Sequence, residues 1–159
     1  MQSRAVLSIV ALVVSLVVAS QHQCVGNVSA AKGDVFVAEL TMFGAQTGPC
    51  AVGSAAAHGD DCVDALRRCD ATLAAAHHSL AAATVACGNT TVCGAAVSAA
   101  LSSVSTSQRG VAAAVAVCRD NPRATSASPA CHNATDAAVP DVGRAAGAIG
   151  GAWKECADN

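Results

Sequence analysis

Residues 62–87 read CVDALRRCDATLAAAHHSLAAATVAC and carry a cysteine at each end. Apolar residues recur in this stretch at steps of four and three, which is the period of one face of an α-helix. That face consists of Cys62, Leu66, Cys69, Leu73, Ala76, Leu80, Ala83 and Cys87. Asp60 and Asp61 precede the stretch as candidates for an acidic N-cap, and Gly88 follows it as a helix stop. The pattern therefore predicts a helix over residues 61–87.

A second stretch repeats this design and predicts a helix over residues 92–118. Thr90 or Thr91 can cap its start, and Asn121-Pro122 can end it. Its apolar face is expected to be Cys93, Val97, Leu101, Val104, Gln108, Val111, Val115 and Cys118. Because the connection between the two stretches is short, we expect a central antiparallel helical hairpin over residues 61–118.

The cysteine spacing extends the pattern to the rest of the chain. Cys62 and Cys87 are 25 positions apart, as are Cys93 and Cys118, and Cys131 and Cys156; Cys24 and Cys50 are 26 apart. Four segments of nearly equal length predict an all-α, disulfide-stapled bundle of three to four helices with up-down topology. Such a bundle places Cys24, Cys87, Cys93 and Cys156 at one end and Cys50, Cys62, Cys118 and Cys131 at the other.

The disulfide pairing is open between two frameworks. Residues that face each other in the central hairpin predict Cys62–Cys118 and Cys87–Cys93, which Cys24–Cys156 and Cys50–Cys131 would complete. The alternative bridges each loop, with Cys50–Cys62, Cys87–Cys93 and Cys118–Cys131, and is closed by Cys24–Cys156. Both leave Cys69 as a free thiol, either buried as a small apolar side chain or joined to a second copy in a disulfide-linked dimer.

The outer helices are less regular. Residues 34–44 fit a short helix, although the alternation in Val35-Phe36-Val37 leaves a strand possible. Residues 123–135 are expected to form a loop. A last helix is expected over residues 140–156, with Pro140 in its first turn.

The N-terminus has the pattern of a secretory signal peptide. Arg4 precedes an apolar run over residues 5–19, which ends in small residues and is shorter than the ~20 apolar residues of a membrane span. We expect residues 1–20 to be removed and residues 21–159 to form one secreted, extracellular domain without a membrane span. Three sequons predict N-glycosylation in loops, at Asn27, Asn89 and Asn133.

The composition excludes some functions. Hydrophobic residues make up 53 % of the chain, aromatic residues only 2 %, and the formal net charge is −2. A nucleic-acid-binding protein needs a dense basic face, and this chain has none in its sequence.

No pattern of catalytic or metal-binding residues stands out. The five histidines are His22, His58, His77, His78 and His132. His77 and His78 are adjacent on one predicted helix, so their side chains point in directions about 100° apart and cannot chelate one metal ion as a pair. No CxxC or GxSxG motif occurs, so we expect a protein without enzymatic activity, metal or cofactor.

Two kinds of function remain. The first is a non-enzymatic extracellular interaction protein that binds an unknown extracellular protein, such as a receptor or host molecule. The alternative is a carrier of a small apolar ligand such as a lipid or sterol, which requires a roomy interior. Alanine-rich helix faces bring helices close together and leave little such space, so we favour the interaction protein.

Overall fold

The computed structural model describes residues 2–52, 59–88, 91–120 and 128–158. These residues form four α-helices and no strand: α1 (Gln2–Thr47), α2 (Gly59–Cys87), α3 (Val92–Arg119) and α4 (Pro129–Ala157). Each helix packs mainly against two others, in the cyclic order α1, α2, α3, α4. The predicted all-α bundle and its central antiparallel hairpin are confirmed.

The first helix is much longer than the predicted segment 34–44, and the possible strand at Val35 does not form. From Cys24 onward, its buried face consists of Cys24, Val28, Ala31, Val35, Ala38, Met42 and Ala45. Gly26 and Gly33 obscure this period in the sequence because glycine lowers helix propensity. Both glycines are exposed, opposite the buried face, so the packing of that face sustains the helix through them.

The last helix begins eleven residues before the predicted start at Pro140. Ser128 caps it by accepting a hydrogen bond from the backbone N–H of Cys131 at 3.1 Å, and Pro129 occupies its first turn. The predicted loop 123–135 is therefore wrong from Pro129 onward, while residues 123–127 lie outside the described residues. Pro140 is exposed inside α4, where packing of the same helix face before and after it offsets the backbone hydrogen bond that proline cannot make.

The predicted bounds of the two central helices agree closely with the structure. Gly88, at φ +72°, follows the last residue of α2 in the left-handed conformation that glycine adopts readily. Thr91 caps α3 by accepting a hydrogen bond from Gly94 N–H at 2.9 Å, as predicted. Asn121-Pro122, the predicted helix stop, lies outside the described residues.

The buried face of α3 differs from the predicted one at three positions. Ala100, Ser107 and Ala114 point into the core, whereas the larger Leu101, Gln108 and Val115 are half-buried at its edge. The small side chains face the core because, at the same heights along the bundle, α2 fills the space with leucine.

The core is built of levels in which small and larger side chains alternate around the bundle. The disulfides set the register, so residues equally far from the terminal cysteines lie at the same level. One level contains Val28, Ala83, Val97 and Ala152, and the next contains Ala31, Leu80, Ala100 and Ile149. Each helix places alanine or another small residue on every second level, so every level combines small and larger side chains and the helix backbones can approach closely.

The two halves of the chain repeat one another in this core. Shifting the sequence by 69 residues aligns the buried positions of α1 with those of α3, and the buried positions of α2 with those of α4. Most of the buried positions that hold a small residue hold alanine in both halves. The matched pairs of α1 and α3 include Cys24/Cys93, Val28/Val97, Ala31/Ala100, Val35/Val104 and Ala45/Ala114. The bundle therefore consists of two similar helical hairpins, residues 24–87 and 93–156.

Four disulfides close these hairpins, and the expected pairing is corrected. The bonds are Cys24–Cys87, Cys50–Cys62, Cys93–Cys156 and Cys118–Cys131. The expected bonds Cys62–Cys118, Cys87–Cys93, Cys24–Cys156 and Cys50–Cys131 are not formed. Two loop bridges of the alternative framework are present, Cys50–Cys62 and Cys118–Cys131.

The physical reason is that helix length determines only the end of the bundle at which a cysteine lies. The division of eight cysteines into two groups of four agrees with the prediction. Within one group, the Sγ atoms of Cys24, Cys87, Cys93 and Cys156 all lie within 4.8 Å of one another. Small differences in position therefore select the partner, and sequence spacing does not record them.

Because small and larger side chains alternate in the core, enlarging a buried alanine should destabilise the protein far more than enlarging an exposed one. Ala76→Leu, at a fully buried position of α2, should lower the free energy of unfolding by about 1–3 kcal/mol because the added atoms find no space. The neighbouring substitution Ala75→Leu, at an exposed position, should change it by less than about 0.5 kcal/mol. Denaturant unfolding of the oxidised proteins measures both, and equal effects would contradict the layered core.

Candidate interaction surface

The aromatic residues are all outside the core. The chain has two phenylalanines, one tryptophan and no tyrosine. Phe36 is 59 % exposed, Phe43 is 62 % exposed and Trp153 is 38 % exposed. In most domains aromatic side chains contribute strongly to the core, so the surface that exposes them here is a candidate interaction site.

An apolar stripe runs along the outer side of α1. Phe36, Leu40 and Phe43 follow one another at helix positions i, i+4 and i+7 and so share one face, and Val37 adjoins them. Leu40 is 56 % exposed. Glu39 is the only charged residue from Val35 to Thr47. We refer to Phe36, Val37, Leu40 and Phe43 as the α1 stripe.

Contacts to α4 flank the α1 stripe on both sides. Before it, Lys32 Nζ lies 4.0 Å from the centre of the Trp153 ring, a cation–π contact. After it, Gln46 Nε2 donates a hydrogen bond to Asp136 Oδ1 at 3.0 Å. These contacts hold α1 against α4, so the stripe is presented from a fixed helix rather than a loop.

The stretch of α4 between Asp136 and Trp153 contains glycines, which leave parts of its surface without side chains. A Cβ atom at Gly143, Gly147 or Gly150 would meet nothing within 4 Å, so space is open above each of them. Large apolar side chains on α1 and bare backbone on α4 thus occur on neighbouring helices. The α1 stripe alone exposes roughly 400 Å² of apolar surface, within the range in which the largest patch of a monomer is often functional.

Sequence reasoning missed the α1 stripe. The signal was present, because α1 has two apolar faces: Val35, Ala38 and Met42 form the buried one, and Phe36, Leu40 and Phe43 form the other. Predicting only a short helix over residues 34–44, with a strand as an alternative, gave no reason to separate the two faces.

A cavity of about 550 Å³ lies at the end of the bundle where the Cys24–Cys87 and Cys93–Cys156 disulfides are found. Its lining is mainly apolar and includes Val18, His22, Val25, Ala86 and Thr91. Cys24, Cys87, Cys93 and Cys156 also line it. Val18 and Ser20 belong to the predicted signal peptide, so the predicted cleavage would remove part of the wall.

Cys69 is unpaired and fully buried, with its Sγ 3.5 Å from the carbonyl oxygen of Ala38. Burial, with a smaller effect of the Asp70 carboxylate, raises the pKa of this thiol from 9.0 to about 12. The thiol is therefore protonated at neutral pH and lies inside the bundle. This placement favours Cys69 as a buried apolar residue of the core over Cys69 as the link of a disulfide-bonded dimer.

The histidines lie on different elements. His77 is half-buried beside the core face of α2 and His78 is exposed, as their spacing predicted. His132 Nε2 lies 3.3 Å from Asp136 Oδ2, and its Nδ1 lies 3.2 Å from the carbonyl oxygen of Cys50. His22 is part of the cavity lining, and His58 lies outside the described residues.

Two of the three sequons lie in helices rather than in the expected loops. Asn27 is half-buried in α1, and Asn133 is exposed in the first turns of α4. Helix formation through both sites follows from the cysteine-bounded core faces, which begin before each asparagine. Asn89 lies outside the described residues.

The chain matches no family model, no curated protein and no solved structure. Within the described parts of the chain, no helix is long and apolar enough to cross a membrane. Four intramolecular disulfides are compatible with a secreted protein, because such bonds persist in oxidising compartments.

The burial of Cys69 predicts slow labelling of the native protein. With a pKa of about 12 instead of 9.0, the thiolate fraction at pH 8 is about a thousandfold lower than in the unfolded chain. Reaction with N-ethylmaleimide at pH 8, followed by mass spectrometry, should therefore label one cysteine only after guanidinium unfolding. Rapid labelling without denaturant, or a dimer that only reductant dissociates, would contradict this assignment.

Proposed function

We propose that this protein is a secreted, non-enzymatic interaction protein that binds an extracellular protein through the α1 stripe. The observation that carries the proposal is the exposure of Phe36, Leu40 and Phe43 in one row on a rigid helix. Exposed aromatic side chains in a contiguous apolar patch mark protein–protein contact sites, where they supply most of the binding energy.

The neighbouring groups support a protein partner. Lys32, Trp153, Gln46 and Asp136 surround the stripe with polar and charged atoms, which is the arrangement of an apolar centre with a polar rim. The open backbone at Gly147 offers room for a side chain of the partner. The signal peptide and the sequons, both expectations from the sequence, agree with an extracellular site of action.

The carrier of a lipid or sterol is the second candidate, and the cavity at the cysteine end is the observation in its favour. Two points make it the weaker one. The wall at Val18 and Ser20 belongs to the segment that signal cleavage would remove. The core between the two cysteine groups is filled by alternating small and larger side chains, so this cavity does not extend along the bundle.

A matched pair of variants tests the proposal. Phe36→Asp/Phe43→Asp should weaken binding to a captured partner by about a hundredfold, because two buried aromatic anchors are lost. Val85→Asp is the control, since Val85 on α2 is 86 % exposed and lies away from the stripe. Its binding should equal that of the wild-type protein, and both variants should keep the wild-type circular dichroism spectrum.

The experiment uses the glycosylated protein from a secreting cell line as bait in extracellular fluid, followed by titration against the partner that is recovered. Equal loss of binding in the stripe variant and the Val85→Asp control would reject the α1 stripe as the contact site. Native mass spectrometry of the same preparation tests the alternative. A lipid bound in nearly stoichiometric amount would favour the carrier.

A further inference from the structure

The four sulfur atoms at the end of the bundle that holds the cavity form one cluster rather than two separate disulfides. Cys24, Cys87, Cys93 and Cys156 belong to α1, α2, α3 and α4, so each helix contributes one of them. Their Sγ atoms all lie within 4.8 Å of one another. Even Cys24 and Cys93, on helices at opposite corners of the bundle, have Sγ atoms only 3.3 Å apart. All four side chains therefore point at one central position between the helices.

Four cysteine sulfurs that converge on one point are the ligand set of a tetrahedral zinc site. In such a site each sulfur lies about 2.3 Å from the ion, which places the sulfur atoms roughly 3.8 Å from one another. The distance of 3.3 Å between Cys24 Sγ and Cys93 Sγ, and the limit of 4.8 Å for all pairs, lie on either side of this value. Reduction of the two disulfides allows the bonded pairs to move apart to it.

The helix backbones do not have to move for an ion to bind here. The Cα atoms of Cys24 and Cys87 are 5.0 Å apart, and those of Cys93 and Cys156 are 4.7 Å apart. An ion at the centre requires each cysteine to reach only the middle of the bundle. No sulfur atom has to bond with the sulfur atom of the diagonally opposite helix.

The cavity gives the ion a route to the four sulfur atoms, which a metal site needs. All four cysteines contribute to its lining, and its volume of about 550 Å³ exceeds that of an ion with its water shell. Cys87 is the half-buried member of the group and the other three are buried. A reductant in the cavity therefore reaches the Cys24–Cys87 bond first at Cys87.

We propose that the reduced protein binds one thiophilic divalent ion of the zinc type at this end, with the thiolates of Cys24, Cys87, Cys93 and Cys156 as its ligands. The reductant is a dithiol: each protein disulfide becomes two thiols, and each dithiol becomes a cyclic disulfide. The ion then displaces the protons of the four thiols and forms four metal–sulfur bonds.

The bound ion connects the bundle differently from the disulfides. The disulfides close each hairpin on itself, whereas one ion with a ligand from every helix joins the two hairpins to each other. The site shares no residue with the α1 stripe, so its test is independent of the proposed function.

The opposite end of the bundle is less suited to an ion. The sulfur atoms of Cys62, Cys118 and Cys131 form a cluster of the same kind there, but Cys50 does not belong to it. Three thiolates leave a zinc ion one protein ligand short of the usual four of a structural site. All four cysteines of this end are also buried. We therefore expect the tightly bound ion at the end that holds the cavity.

The test uses the full chain, reduced with dithiothreitol and separated from it without oxygen. Zn²⁺ is titrated at neutral pH in competition with a chromophoric chelator, and Co²⁺ in a parallel sample reports the ligands through its absorption spectrum. One ion should bind tightly per chain, with the cobalt spectrum of tetrahedral thiolate coordination. The oxidised protein should bind at least about a thousandfold more weakly, because its sulfur atoms cannot act as thiolates.

Two double variants, both studied in the reduced state, serve as a matched pair. Cys24→Ser/Cys93→Ser removes two of the four ligands and should weaken zinc binding by at least about a hundredfold. Cys50→Ser/Cys118→Ser also removes one cysteine from each hairpin, but at the opposite end, and should leave the affinity within about threefold of wild type. If the reduced wild-type protein binds no zinc, or if both variants lose the same affinity, the proposal is wrong, whether or not the reduced chains are folded before the ion is added.

Discussion

The alternation of alanine with larger aliphatic side chains along four helix faces is the constraint on which the rest of the structure depends. Where α2 places Leu80 in the core, α1 and α3 place Ala31 and Ala100. This arrangement lets the four helices approach closely, and it gains stability from close van der Waals contact rather than from large buried side chains. A cysteine level closes each end of the stack.

The same constraint accounts for the surface. A core in which small and larger aliphatic side chains alternate along every helix has no room for an aromatic ring, so Phe36, Phe43 and Trp153 lie outside it. Once outside, the phenylalanines can contribute to stability only weakly, and their place in a row with Leu40 has no explanation in packing. The proposed binding of a partner would give these side chains a role that packing within the folded monomer does not.

The core also relates the two hairpins to each other. Ser107 occupies the position in α3 that Ala38 occupies in α1, and its hydroxyl donates a hydrogen bond to the backbone carbonyl of Asp141 at 2.7 Å. The polar side chain at this position of the core therefore has a hydrogen-bond partner. Because all nine cysteines lie in the described residues, the pairing can be stated completely: no bond joins the hairpins, and Cys69 is free.

The sequence alone was sufficient for α2 and α3, whose faces are regular and whose ends carry Gly88 and Thr91 as boundary signals. It was not sufficient for α1 and α4, because glycine and proline lower local helix propensity and only the packed bundle outweighs them. It placed each cysteine at the correct end but not with its partner, since four sulfur atoms meet there. The α1 stripe required knowledge of which face of α1 is buried.

The central claim is that each hairpin is closed by its own two disulfides and that only the peptide chain joins the halves. A specific protease site inserted between Gly88 and Thr91 tests it directly, with cleavage and acid quenching in the absence of added thiol. Electrophoresis under denaturing, non-reducing conditions should then separate two fragments, each near half the mass of the protein. Fragments that stay together until a reductant is added would contradict the claim.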